Sequence, residues 1–248
     1  MLASIKNLFQ KTGPAHSEKE VAEAYDIWSD FYDFQPGNLM LDLDEQILTD
    51  LLENVNLKDR VIADIGCGTG RHWSRLYDKN PSAIIGFDVS SGMLSQLRQK
   101  FPAADSHLIT DDRISILPDA SIDFLLSTLT LAHIKDPREA IHSWSRVLKK
   151  GGQALITDFH PVMLQKGGRR SFPYEGRTLS VVNYIHPLKS LKDIFQQYGM
   201  FLIRQEEKWM DESVKHYYTT QGALPVFNRF KGTPIIYGLL LNKPGVTE

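Results

Sequence analysis

The chain has 248 residues, 42% of them hydrophobic, enough to bury one full core with a small appendage. Its 28 Lys and Arg against 30 Asp and Glu leave a net charge of −2, which gives no ground for a nucleic-acid binder held by phosphate neutralisation. A single cysteine excludes an intrachain disulfide and fits a reducing compartment. The first ten residues lack a sustained apolar stretch, and no apolar run approaches the ~18 residues of a membrane span. A cytoplasmic protein with no membrane span and no nucleic-acid partner is therefore expected.

In chain order, Ser17-Glu18-Lys19-Glu20 reads as a capping box. Val21, Tyr25, Trp28 and Tyr32 then recur at helical spacing, and a second amphipathic helix is expected from about Asp42 to Val55, carrying Ile47, Leu48, Leu51 and Leu52. Val61 to Ile65 is an apolar strand with Asp64 near its end, followed by glycines at alternate positions, Gly66, Gly68 and Gly70, around Cys67. Ala83 to Asp88 is a second short strand ending in an acid. Val89-Ser90-Ser91-Gly92-Met93 opens a helix with serines available as N-cap and Met93, Leu97 and Phe101 on one face. Ile109-Thr110-Asp111-Asp112 ends a third strand, and Ile122 to Leu129 is a nearly continuous apolar run suited to a parallel strand covered on both faces.

Asp136-Pro137-Arg138-Glu139 starts another helix, with an N-cap acid, proline at the first helical position and Glu three residues on. Lys149-Lys150-Gly151-Gly152 is expected to close it, before a strand from Gln153 to Phe159. Leu188, Leu191, Phe195 and Tyr198 make a late helix stopped by Gly199. Phe201 to Glu206 and Ile235 to Leu241 read as two final strands. Strands and helices alternate, which argues for an α/β fold with a doubly wound, mostly parallel sheet.

The glycine turn decides the chemistry. A chain that turns from strand to helix while letting a ligand touch its backbone needs residues without a Cβ, and the exposed amides there carry partial positive charge. A dinucleotide fold wants G-x-G-x-x-G, and here the third glycine position is Arg71. Asp64 would also sit poorly beside a pyrophosphate but would suit a ligand bearing a cationic amino group. Asp64-Ile65-Gly66-Cys67-Gly68-Thr69-Gly70 resembles the first motif of the class I S-adenosylmethionine (SAM) methyltransferases. The succession from about residue 20 to 160 looks like the small-molecule subgroup containing the ubiquinone/menaquinone-type C-methyltransferases.

That resemblance implies a seven-stranded Rossmann-like sheet, SAM as cofactor and methyl transfer to a small molecule. The last two strands would be antiparallel at the sheet's end, as in the family. Asp64 and the loop of Gly66, Cys67, Gly68 and Gly70 would hold the methionine end of SAM. Asp88 would bind the ribose, Val89 and Met93 would wall the adenine, and Asp111 or Asp112 would meet its amino group. Tyr25 would fold over the cofactor. Residues 1–56 would form an N-terminal helical cap and 57–248 the cofactor domain, with an inserted lid at about 160–186, longer than an ordinary crossover loop.

The acceptor side is less determined. Trp28 and Tyr32 are candidates for substrate contact beside their role in a helix core. Lys166, Arg169, Arg170 and Arg177 give the lid a basic character interleaved with Phe172 and Tyr174, so Arg169 and Arg170 are candidates for an anionic group of the acceptor. A general base is needed only where the acceptor must lose a proton, and His133, His160 and His186 are the candidates. O-methylation stands slightly ahead of C- or N-methylation, and no metal site is expected. The competing readings are a nicotinamide-dinucleotide oxidoreductase and a non-catalytic SAM-fold binding protein; persistence of Asp64, Asp88 and Asp111 speaks against the second.

Overall fold

The computed structural model describes residues 16–35, 37–110 and 113–245. A short strand β1 (His16–Lys19) leads into α1 (Val21–Trp28) and, after a single 3-10 turn, α2 (Leu39–Leu52). Then follow β2 (Val61–Ile65), α3 (Trp73–Asp78), β3 (Ala83–Asp88), α4 (Ser91–Lys100), β4 (Asp105–Leu108) and β5 (Ile122–Thr128). The chain continues through α5 (Pro137–Val147), β6 (Leu148–Phe159), α6 (Pro161–Gln165), β7 (Ser171–Tyr174), β8 (Arg177–Val181) and α7 (Leu188–Gln197). It finishes with β9 (Phe201–Trp209), α8 (Lys215–Thr220), α9 (Leu224–Phe230) and β10 (Pro234–Asn242).

Seven strands form the main sheet in the order β4-β3-β2-β5-β6-β10-β9. All neighbours are parallel except β10, which runs antiparallel to both β6 and β9. The strand order reverses between β2 and β5, so the carboxyl ends of those strands open the crevice where α/β sheets bind ligands. Nearly every residue of β10 is buried, as expected for a strand covered on both faces. One face packs on α2 through Ile47, Leu48 and Leu51; the other packs on α5 and α7 through Ile141, Trp144, Leu191 and Phe195. At Gly238 an added Cβ would lie 2.2 Å from Ile47 Cγ2, so the missing side chain is what lets α2 approach β10.

A second, three-stranded sheet, β1-β8-β7, joins the chain's start to residues 160–186. β1 runs parallel to β8, pairing Ser17 with Leu179 and Lys19 with Val181. This overturns the expected capping box, because Ser17 to Lys19 spend their backbone groups on β8 and α1 starts at Val21 without a side-chain cap. Phe172, Leu179 and Val181 of the hairpin pack against Ala24, Trp28 and Tyr32 in a small core of their own.

Other boundaries shift for local reasons. α2 begins at Leu39 because Asn38 caps it, accepting from the amides of Met40 and Leu41. Lys149 to Gly152 belong to β6 rather than to a helix end; the Gly151 amide donates to Lys243 O, drawing the chain straight into the sheet. The caps at Ser90 and Asp136 form as the sequence predicts. No helix among the described residues is long and apolar enough to cross a membrane.

Candidate functional site

The site is built at the reversal of strand order. As the chain leaves β2, the amides of Gly66 and Cys67 both donate to Phe87 O at 2.7 and 3.0 Å, which folds the turn back onto β3. Gly66 has φ +71°, and a Cβ there would lie 2.1 Å from Thr130 Oγ1, so conformation and contact both require glycine. Gly68 is different: a Cβ there would meet nothing within 4 Å, because that side faces open space. Its amide donates to Asp88 Oδ2 at 2.7 Å, while the Ser90 amide donates to Oδ1 at 2.9 Å. Each carboxylate oxygen thus holds one amide and retains acceptor capacity. Burial pushes the Asp88 carboxyl up to about 6.

Ser90 Oγ accepts from the Met93 amide and donates to Asp26 Oδ1 of α1, which also accepts from the Gly92 amide. α1 is therefore fastened to the first turn of α4. Between them opens a cavity of about 780 Å³ including its mouth. One wall is Gly66, Gly68, Asp88, Val89, Met93 and Ile109; the other is Val21, Tyr25, Tyr32, Thr130, His133 and Ile134. No Lys or Arg is among the described lining residues.

Tyr25 and His133, expected for different roles, meet in the second wall. Tyr25 Oη lies 3.0 Å from His133 Nε2, and His133 Nδ1 lies 2.7 Å from Val182 O. Burial, with Arg170 nearby, draws the His133 imidazole down to about 4, so it is neutral near pH 7. A carbonyl oxygen can only accept, so the ring's one proton resides on Nδ1 and Tyr25 donates to Nε2. Tyr32 completes the wall. Its Oη accepts from Arg170 Nη2 at 2.8 Å.

The remaining sequence candidates lie elsewhere. Asp64 is buried with its carboxylate accepting from Trp73 Nε1 at 2.8 Å, and burial raises it to about 6; it is not in the lining. Cys67 is buried away from the cavity wall, and Gly70 packs beside Leu97 and Phe101. Asp111 and Asp112 lie outside the described residues. Trp28 is stacked on Phe172 at 4.3 Å, behind the lining. His160 caps α6 through Nδ1, which accepts from the Val162 amide, and His186 Nε2 donates to Ile134 O at 2.8 Å; neither lines the cavity. Arg169 is exposed and pairs with Glu18 at 3.1 Å. Arg170 is only 3% exposed, with its guanidinium over the rings of Trp28 and Tyr32 at 5.2 and 5.8 Å.

One constellation escaped the sequence reading. Asp44 of α2 is fully buried and accepts from Arg71, from Thr157 Oγ1 and from His72 Nε2. Burial opposes its charge, yet Arg71, His72 and Thr157 together hold its carboxyl well below the usual carboxylate range. Arg71, which fills the third glycine position of the dinucleotide pattern, thereby locks the glycine turn to the N-terminal helices. The legible signal was an acid on the same face as Ile47, Leu48 and Leu51, where an unpaired charge does not belong.

Residues 63–156 match the family described as a methyltransferase domain. The chain is 33% identical over 141 residues to a malonyl-[acyl-carrier protein] O-methyltransferase of Yersinia pestis, covering 56% of this chain and 50% of that protein. It is also 33% identical over 117 residues to a ubiquinone/menaquinone biosynthesis C-methyltransferase of Campylobacter jejuni, covering 45% and 48% respectively. The chain thus spans between about two fifths and three fifths of the length of these curated relatives. Among solved structures, the [4+2]-cyclase SpnF aligns with TM-score 0.64 at 19% identity over 91% of this chain and 96% of that one, a likeness of fold.

Proposed function

Residues 63–156 match the methyltransferase-domain family, and from that premise we propose that the protein is a class I SAM-dependent methyltransferase that methylates a hydroxyl of a small-molecule acceptor. The observation that carries the choice of a hydroxyl is the Tyr25–His133 pair in the wall of the cavity that Asp88 also lines. The described residues fit the cofactor. Asp88, an acceptor-only group with free lone pairs, suits a ribose diol; Val89, Met93 and Ile109 offer apolar contacts; Gly68 leaves room for backbone approach. When bound, SAM would supply the methyl group to the acceptor oxygen and leave as a neutral thioether, its carbon–sulfur bond broken.

The protein's own work is placement and proton transfer. Holding donor and acceptor at near-attack geometry is worth roughly 7–11 kcal/mol. Tyr25 accepts the acceptor's hydroxyl proton as its own passes to His133 Nε2, and the imidazolium then returns a proton to water. His133 is neutral near pH 7, so Nε2 holds a free lone pair for the Tyr25 proton, but burial makes it a weak base and placement carries most of the rate. The hairpin of β7 and β8 serves as a lid over this end, since the segment leaving β8 carries the carbonyl that fixes the His133 tautomer.

The test is incubation of the purified protein with SAM carrying an isotopic methyl and a cell extract, followed by mass spectrometry of labelled products. A labelled methyl ether that is lost with Tyr25→Phe supports the reading. A labelled C-methyl product, or full activity in Tyr25→Phe, overturns the hydroxyl assignment.

A further inference from the structure

The hydrogen-bonding roles of two phenols in one wall define what the acceptor must offer, an argument that rests on reading this cavity as the acceptor site. Tyr25 spends its proton on His133, as the Val182 carbonyl dictates, and shares its oxygen with Arg170, so what it has left to offer the cavity is acceptor capacity only. Tyr32 is the reverse. Arginine has no acceptor, so the Tyr32 oxygen takes the Arg170 proton, and no described group takes Tyr32's own hydroxyl proton. That proton is free for the cavity. One wall therefore displays an acceptor and a donor.

Their separation is set by a shared neighbour. The two rings are 6.2 Å apart and tilted by 59°, and the one buried guanidinium of Arg170 reaches the Tyr32 oxygen and lies beside that of Tyr25. The guanidinium is held by the faces of Trp28 and Tyr32, and its Nε–H is buried without a partner, so this cation is walled in rather than offered to a ligand. The expected meeting of Arg169 and Arg170 with an anionic acceptor group thus has no described cation in the lining to serve it.

We propose that Tyr32 and Tyr25 select a neutral acceptor whose reacting hydroxyl stands next to a second oxygen, as in a vicinal diol, a catechol or a hydroxy-carbonyl compound. The reacting O–H donates to Tyr25, and the neighbouring oxygen accepts from Tyr32. An isomer with its oxygens farther apart leaves either the Tyr25 lone pair or the Tyr32 proton without a ligand partner, which a site built for hydrogen bonding resists. Tyr32 is then a specificity residue, and Arg170 a positioning residue acting through it.

The experiment uses catechol and resorcinol, isomers differing only in the spacing of two hydroxyls, with binding followed by saturation-transfer NMR and calorimetry on the full chain. SAM affinity is measured on the same samples. Wild type should bind catechol about fivefold more tightly than resorcinol, the worth of one net neutral hydrogen bond. Tyr32→Phe should erase that preference with SAM affinity unchanged. Tyr25→Phe, which keeps the ring, controls for packing and should weaken both isomers alike. Equal binding of the isomers by wild type, a preference that survives Tyr32→Phe, or binding of neither compound overturns the inference while leaving the donor reading intact if SAM still binds. Failure to bind SAM defeats the underlying reading instead.

Discussion

The two walls of the cavity are made in different ways. The wall of Gly66, Gly68, Asp88, Val89 and Met93 comes from 28 consecutive residues, Gly66 to Met93, in which each strand end delivers the next contact. The wall of Tyr25, Tyr32 and His133, backed by the Val182 carbonyl, gathers pieces more than 100 residues apart, and a further ion cluster at Asp44 seams the N-terminal helices to the glycine turn. On the proposed reading, a cofactor that never changes is met by local sequence and an acceptor by tertiary assembly, where single changes alter specificity without disturbing the turn.

The seam offers the largest effect. Asp44→Ala takes the buried carboxylate from half-buried Arg71 and buried His72, leaving them, among the described residues, only the exposed Glu45 as ion-pair partner, and should cost about 3 kcal/mol, the lower end for loss of one partner of a buried pair. At roughly 2–4 °C per kcal/mol for a chain of this size, thermal denaturation should show a fall in Tm well outside error. A change below 1 kcal/mol would mean that the two walls hold together without it.

Next comes Asp88→Ala, which removes a carboxylate poised for two charge-assisted bonds of about 1.5–3 kcal/mol each. SAM affinity measured by calorimetry should drop at least about a hundredfold, with little change in acceptor binding. Equal loss on both sides would erase the distinction between the walls. The same carboxylate predicts a smaller, graded effect with pH. Protonation turns an acceptor for hydroxyls into a donor, and Asp88 titrates at about 6 in the folded protein. SAM affinity should therefore be full above that pH and weaken about tenfold per unit below it. Affinity flat from pH 8 to 5 would place the ribose elsewhere. Smallest of all, Arg169→Ala should alter neither affinity nor stability by more than about 0.5 kcal/mol, because its exposed pair with Glu18 is screened by solvent.

This division also explains what was legible beforehand. The alternation of strands and helices, the glycine turn, Asp88 and the Ser90 cap were readable because each depends on neighbours within a few residues. His133 stood out as a histidine after an apolar strand, but nothing local distinguished it from His160 and His186. Only the fold shows that His160 is a helix cap and that His186 is tied to Ile134. Ser17 to Lys19 fit a capping box locally, and tertiary pairing with β8 prevailed. Arg170 looked like a lid cation for an anionic ligand; its burial under Trp28 and Tyr32 depends on the β7–β8 hairpin packing on α1, which no spacing reveals. The helices α8 and α9, between the last two strands, were not anticipated because each is only six or seven residues long.

The central claim is that the reversal of strand order holds an adenosyl sulfonium compound rather than a dinucleotide. Titration calorimetry of the purified protein with SAM and, separately, with the nicotinamide dinucleotide NAD tests it most directly. Saturable heat with SAM and none with NAD is the predicted result. Heat with NAD alone, or with neither compound, would contradict it.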